Sequence, residues 1–210
     1  ININLLVQGD NPLPVTIGRV YRLFRNLDLD EPGDLTAALI DWIDSGDDEY
    51  RILRLPDEQD INVTGAETAY YERLENPYRA KNAPFDSLDE LTLVRGFTPE
   101  VLQKVAPYLA VFGNDKINLN TASAEVLMAA DDMIDRSAAE EILSRRLDQP
   151  FESPSEVTTI PRLDTLLHAN FAVKSSMFQI TADAAVNDGT RRAVAVVSSD
   201  GRKVHYMKVD

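Results

Sequence analysis

The acids of this chain are densest between Asp41 and Glu67, and the chemistry open to them is oxygen coordination. Asp41 and Asp44 lie three apart and so share a helix face. Asp47, Asp48 and Glu49 follow at once, which places five carboxylates within nine positions. Such a cluster repels itself unless a hard cation such as calcium, which takes several oxygen ligands, sits among its members. Glu67, in Gly65-Ala66-Glu67, and Asn82, after Tyr78-Arg79-Ala80-Lys81, bring further oxygens if the loop bends back on the helix end. The candidate calcium ligands are therefore Asp41, Asp44, Asp47, Asp48, Glu67 and Asn82. The D-x-D-x-D-G order of an EF-hand loop is not present, so spacing alone also fits a solvated acidic loop.

Catalytic groups are scarce. His168 and His205 are the only histidines, and neither sits in a glycine-framed nucleophile elbow. There is no phosphate-binding glycine-rich loop, no H-E-x-x-H, and no cysteine to serve as thiolate, disulfide or soft-metal ligand. The sequence thus predicts no enzyme. A net charge of −14 sets a field that repels phosphate backbones and anionic membrane surfaces and attracts cations. With 210 residues, 44% of them hydrophobic, the chain has material for one good core or two modest ones. No apolar run reaches the length of a membrane-spanning helix. The start at Ile1, without Met and inside a strand-like pattern, reads as a truncation.

The elements that must position the acids come from periodicity and capping. Lys116–Met128, KINLNTASAEVLM, opens as an apolar/Asn alternation and turns at Thr121, whose hydroxyl is placed to cap a helix from Ala122, with Glu125 in its first turn. The chain opens with the same alternation, Ile1-Asn2-Ile3-Asn4, which predicts a strand for a sheet. Thr16 is expected to cap a helix bearing Val20, Leu23, Phe24 and Leu27, with Arg19, Arg22 and Arg25 as its wet edge. Asp34 is expected to cap a second helix carrying Leu35, Leu39, Ile40, Ile43 and Trp42, and Ser137 to open one with Ile142 and Leu143.

Two segments repeat. Pro84-Phe85-Asp86-Ser87-Leu88-Asp89-Glu90 matches Pro150-Phe151-Glu152-Ser153-Pro154-Ser155-Glu156, an aromatic anchor followed by a Ser-x-x-Glu capping box. The last 35 residues change character, with Met177–Val186, Arg191–Val197 and Lys203–Val209 reading as strands separated by Asn187-Asp188-Gly189 and Asp200-Gly201. Alternation predicts that Phe178, Ile180 and Ala182 face a core and that Gln179, Thr181 and Asp183 are wet. The fold class expected is α+β, with an antiparallel sheet built from both chain ends, 1–8 and 176–210, and a large all-helical domain, 9–175, inserted between them.

Two family resemblances follow from these residues. INLNTASAEVL is similar to the opening of helix-hairpin-helix DNA-binding modules, in which a glycine-containing hairpin donates amides to phosphate. Here the hairpin position reads Asp131-Asp132-Met133-Ile134-Asp135, with three carboxylates and no glycine, and nucleic-acid binding is the alternative function. Over essentially its whole length the chain resembles the minor pseudopilin K (GspK/XcpX) family of the type II secretion system. ININLL, Asp41-Trp42-Ile43-Asp44, Gly65-Ala66-Glu67 with Tyr70-Tyr71, Tyr78-Arg79-Ala80-Lys81-Asn82, SLDEL, INLNTASAEVL and the closing meander carry that resemblance. It implies a pseudopilin-type sheet interrupted by helical modules of the SAM or helix-hairpin-helix kind. It also implies an N-terminal helix before Ile1 holding a periplasmic domain to the bacterial inner membrane, and calcium in some members. The role implied is structural, at the tip of the pseudopilus, with minor pseudopilins I and J as partners in protein export across the outer membrane.

Overall fold

The computed structural model describes residues 1–56, 59–187 and 189–209. The chain opens with a single 3-10 turn at Ile3–Leu5, then a hairpin of β1 (Val7–Gln8) and β2 (Asn11–Pro12). Helices α1 (Pro14–Asn26) and α2 (Pro32–Ile43) follow, then a second small hairpin of β3 (Ile52–Leu53) and β4 (Ile61–Asn62), and the one-turn α3 (Thr68–Tyr71). A 3-10 stretch at Leu88–Leu93 and α4 (Pro99–Val105) close the first helical module. The second comprises β5 (Ile117–Asn118), α5 (Ala124–Ala130), α6 (Arg136–Asp148), a 3-10 stretch at Pro154–Thr159 and β6 (Phe171–Ala172). An antiparallel meander of β7 (Met177–Val186), β8 (Gly189–Ser198) and β9 (Val204–Val209) ends the chain. Of its two turns, Asp188 lies outside the described residues.

The expected pairing of Ile1–Leu6 with that meander is not formed. The segment instead runs parallel to Ala110, whose amide donates to Ile1 O at 2.8 Å and whose carbonyl accepts from Ile3 N at 2.9 Å. Ile3 and Leu6 are completely buried in the first module, and the amides of Asn2 and Asn4 serve the backbone at Gly113, Phe85 and Val111. The alternation is used inside a helical module, where a sheet edge would leave those side-chain amides without backbone to bind.

The second copy of the alternation has the same surroundings. Ile117 and Asn118 pair in parallel with Phe171 and Ala172, Leu119 N donates to Ala172 O at 2.9 Å, and Asn120 binds the backbone of Phe151 and Val173. Both aromatic anchors are buried, and both capping boxes that follow them are complete. The modules are thus two versions of one plan, each with its own core: Ile3, Leu23, Phe24, Leu39 and Phe85 in one, Leu119, Leu127, Ile142, Phe151 and Phe171 in the other. In the first, 81 residues separate the Asn from its Phe, against 31 in the second. Most of the extra length is the acidic segment between α2 and Phe85, and the rest is the β1–β2 hairpin and the longer first helix.

Helix starts differ from expectation by a few residues. Pro14 and Pro32 begin α1 and α2, consistent with proline's fixed φ and dispensable N–H at the first helical position. Ser123 caps α5, since the amides of Thr121 and Ala122 are already taken by Asn118 O in a turn, and Asp135 caps α6. Of the α1 arginines only Arg25 is exposed as expected. Arg19 and Arg22 are 2% and 5% exposed. Arg22 donates to Ala129 O at 3.1 Å and Ala130 O at 3.3 Å, meeting the free carbonyls at the end of α5, while Arg19 Nη1 bonds Asp115 O in the connection between modules. Unspent backbone carbonyls and the negative end of the α5 dipole offset the burial of the Arg22 guanidinium, whereas Arg19 Nε and Nη2 are buried without an acceptor.

On the meander's first strand Gln179, Thr181 and Asp183 are exposed as expected, but the face expected to be dry is exposed as well. The side bearing Gln179, Val196 and Tyr206, cross-strand neighbours, turns toward Phe112, whose ring lies 6.4 Å from that of Tyr206, and Lys208 pairs with Asp89 at 3.3 Å. Phe178 and Ile180, with Met207 and Val209 on the other edge strand, stay more than half exposed. Alternation identifies two faces but does not say which one meets the module, and here the choice is made by Phe112.

Candidate cation site

Helix α2 delivers the first two acids. Asp41 lies in its last turn, fully buried, and Asp44 is the residue that ends it in an extended conformation, half-buried. Ala37, Leu39 and Ile40 hold this helix in the core, so Asp41 is carried inside by its neighbours. The chain then returns: Gly65 N donates to Tyr50 O, and Glu67 caps α3, its Oε2 accepting the Thr68 amide at 3.2 Å. One carboxylate oxygen from each of Asp41, Asp44 and Glu67 falls within 4.8 Å of the others.

Electrostatics mark this as an unfavourable arrangement for the acids alone. Burial pushes Asp41 up to about 8, against the lowering effect of the Tyr50 amide on its Oδ1 at 2.9 Å, and Glu67 and Asp44 add repulsion. Burial likewise pushes Glu67 up to about 7, with Asp44, Asp47 and Asp48 contributing. Asp44 is raised by burial too, and its neighbour Asp10, which accepts from Ser45 Oγ at 2.6 Å, raises it further.

The buried polar atoms around the site are not all paired: the donor Trp42 Nε1 has no acceptor, and acceptors are left over in greater number. Asp41 Oδ2, Glu67 Oε1 and Asn82 Oδ1 are buried without a hydrogen-bond donor. All three are acceptors. Asn82 holds a left-handed backbone with φ 48° and donates through Nδ2 to Gly46 O at 3.0 Å, while the Gly46 amide binds Asp44 Oδ1 at 3.0 Å, which ties Asn82 to the same loop. Oxygen acceptors in excess of donors, with carboxylate charge, are the ligand chemistry of a hard cation, and these residues fit calcium.

Of the six candidate ligands, then, Asp41, Asp44 and Glu67 converge and Asn82 joins them through Gly46. Asp47 and Asp48 are exposed on the intervening loop, near enough to Glu67 to raise it but outside the converging group. Sequence reasoning passed over Asp10 and Gly65. A Cβ on Gly65 would overlap Asp41 Oδ2, so the close approach of loop to carboxylate requires glycine there. The glycine preceding Ala66-Glu67 was the available signal.

Aromatic rings wall the site. Trp42 meets Tyr71 edge-on at 5.3 Å, and Tyr71 stacks on Tyr78 at 5.1 Å. His168 is exposed in a 3-10 turn, and His205 lies half-buried in β9 with its ring 5.8 Å from Phe112. At the α5–α6 turn the acids occupy the amides a phosphate would need: Asp131 Oδ1 accepts Met133 N at 3.0 Å and Asp135 Oδ1 accepts Ala138 N at 2.8 Å. Asp132 pairs with Arg22 at 3.4 Å and Arg25 at 3.5 Å.

This is an α+β protein in which a helical region carries an acidic, oxygen-lined site and a small antiparallel sheet follows it. The same architecture is found in a chain of the crystal structure of the GspK-GspI-GspJ complex from the type 2 secretion system of enterotoxigenic Escherichia coli. The match has a TM-score of 0.75 and 20% identity, and covers 100% of this chain and 75% of that one. The models describing type II secretion system protein K match residues 1–114 and 117–180, and the chain belongs to that family. Type II secretion system protein K of Aeromonas hydrophila is 31% identical, over 90% of this chain and 58% of the relative. That of Pseudomonas aeruginosa is 29% identical, over 93% and 56%. The chain thus spans somewhat over half the length of these relatives. The junction between the two matched regions falls at the connection between the two modules.

Proposed function

We propose that this chain is the periplasmic part of a minor pseudopilin, a structural subunit that assembles with I- and J-type pseudopilins at the tip of the type II secretion pseudopilus. Membership of the protein K family over both helical modules carries the reading. The exposed apolar face of the meander supports it, since Phe178, Ile180, Met207 and Val209 lie on one side of the sheet, each more than half exposed, and a contiguous apolar patch suits an interaction surface. Bulk supports the terminal position. Pseudopilins stack head to tail, and helical modules much larger than the sheet would obstruct a further subunit above.

Calcium is part of the same proposal. Asp41, Asp44 and Glu67, with Asn82, would hold the ion, which would cross-link the end of α2 to the returning loop and cancel the repulsion among their carboxylates. Among the described residues no helix is long and apolar enough to cross a membrane.

The test is co-purification of this chain with the soluble parts of I- and J-type pseudopilins, followed by imaging of labelled full-length protein in assembled pseudopili. A ternary complex and label at one end of the fibre support the proposal. Failure to associate, or label recurring along the shaft, defeats it.

A further inference from the structure

Arg95 lies outside the acidic segment, just after the capped 3-10 stretch of the first module, yet it reaches back to the loop that carries Glu67. Its Nη1 donates to Gly65 O at 2.8 Å and to Thr64 O at 3.2 Å. Its guanidinium lies over the Tyr70 ring, 5.3 Å from the centroid, and Nη2 is 3.9 Å from Asp34 Oδ2. Asp34, in the first turn of α2, in turn accepts the Thr64 amide at 2.9 Å. Even the backbone of Arg95 takes part, its N–H donating to Tyr71 Oη at 3.3 Å. One side chain therefore holds both carbonyls preceding Ala66-Glu67 and the ring following them, and is itself braced against the helix that supplies Asp41.

We infer that Arg95 is the positioning residue of the cation site, fixing the 64–71 loop so that Glu67 meets Asp41 and Asp44. The inference rests on the calcium reading above. Gly65 is where the loop passes closest to Asp41, and the carbonyl that Arg95 grips most tightly is that of Gly65. A planar fork is needed: two carbonyls and an aromatic face are engaged at once, which an ammonium on a flexible stem does not reproduce. Outer residues of this kind orient the ligands of a metal without touching it.

The alternative role has the opposite sign. Positive charge held on the loop that carries Glu67 also repels a cation, so if charge were its whole contribution, removing it would tighten calcium binding. If it positions the loop, removing it loosens binding by about tenfold or more, the usual cost of losing a supporting contact.

The experiment is calcium titration of the 210-residue chain by calorimetry and by fluorescence of Trp42, the only tryptophan, together with melting in chelator. Arg95→Met is expected to raise the calcium Kd at least about tenfold, with a smaller change in the chelated melting temperature. Arg95→Lys should bind severalfold more weakly than the parent, and it serves in place of Arg95→Met if that variant does not fold. Unchanged or tighter calcium binding in the folded variants, with only the chelated melting temperature lowered, overturns the inference. Absence of calcium binding in the parent chain removes the calcium reading itself, a result distinct from parent binding that Arg95 substitution leaves alone.

Discussion

Asn4 embraces the backbone of Phe85, 81 positions away, accepting its amide at 2.7 Å and donating to its carbonyl at 2.9 Å. Asn120 does the same to Phe151, at 2.8 and 2.9 Å. Each Asn amide also donates onward, to Val111 O and Val173 O respectively. In both modules, therefore, one side chain joins the entering segment, the buried aromatic before the capping box, and the closing segment. Removing it leaves half-buried backbone groups unserved. Asn4→Ala and Asn120→Ala should each cost about 1–3 kcal/mol. The two sites have separate cores, so the double variant should be close to additive. Urea denaturation of the four proteins decides this. A substitution costing nothing would mean that the bridges are incidental.

Calcium should stabilise the protein, and a chelator should lower its melting temperature. At a hundredfold excess over Kd the ion is worth about 2.7 kcal/mol. Asp41→Asn should abolish that gain while making the calcium-free protein more stable, because the variant no longer buries a carboxylate among carboxylates. Superimposable melting curves of the parent with calcium and with chelator would refute the site.

The calcium-free protein should lose stability as pH rises. Asp41 goes from an ordinary 3.8 to about 8 on folding, and Glu67 from 4.5 to about 7. Both are raised, so the folded state holds protons that the unfolded chain releases. That contribution is complete below about pH 4 and is lost progressively as pH climbs to about 8. Calcium acts most strongly at the upper end, where the acids are charged. Denaturation in calcium-stripped buffer between pH 5 and 8 measures the slope. Asp41→Asn should flatten it, and a parent slope of the opposite sign would contradict the burial of these acids.

Duplex DNA should not bind at physiological salt. The chain carries −14, and Asp131 and Asp135 already occupy amides of the α5–α6 turn. Fluorescence anisotropy with a labelled duplex tests it. Saturable binding weakened by substitutions in Asn120–Glu125 would restore the nucleic-acid reading.

What the sequence made legible was local. Capping boxes at Ser87 and Ser153, the helices that begin near proline or a side-chain cap, and the meander strands each depend on a few adjacent residues. What it hid depended on distant partners. Ile1–Asn4 and Ile117–Asn120 were visibly alike, but only the positions of Phe85, Ala110, Phe151 and Ala172 show that both enter helical modules. Arginines at three-residue spacing look solvated until α5 presents its terminal carbonyls to Arg22. The acids of α2 and the loop stand out in the sequence as a group. Spacing could not separate Asp41, Asp44 and Glu67, which converge, from Asp47 and Asp48, because the loop's return is set by Gly65 and Arg95.

Gly65 therefore gives a sharp test of that return. A methyl group there would overlap the carboxylate of Asp41, and it would also lie 3.1 Å from the Tyr50 amide that binds the other oxygen of the same group. Neither neighbour yields easily, since Asp41 is fixed in a buried helix and Tyr50 N is backbone. Gly65→Ala should cost about 1–3 kcal/mol, as expected for overpacking in a filled site, and should remove calcium stabilisation by driving the loop from α2. Gly46→Ala is the control, because its Cβ would reach only 3.3 Å from Asp44 Oδ1, in an exposed loop. It should leave the chelated stability within about 0.5 kcal/mol of the parent, as surface substitutions do. Melting both variants with calcium and with chelator is the measurement. If Gly65→Ala keeps the parent's calcium response, the loop does not have to approach Asp41 this closely for the ion to bind.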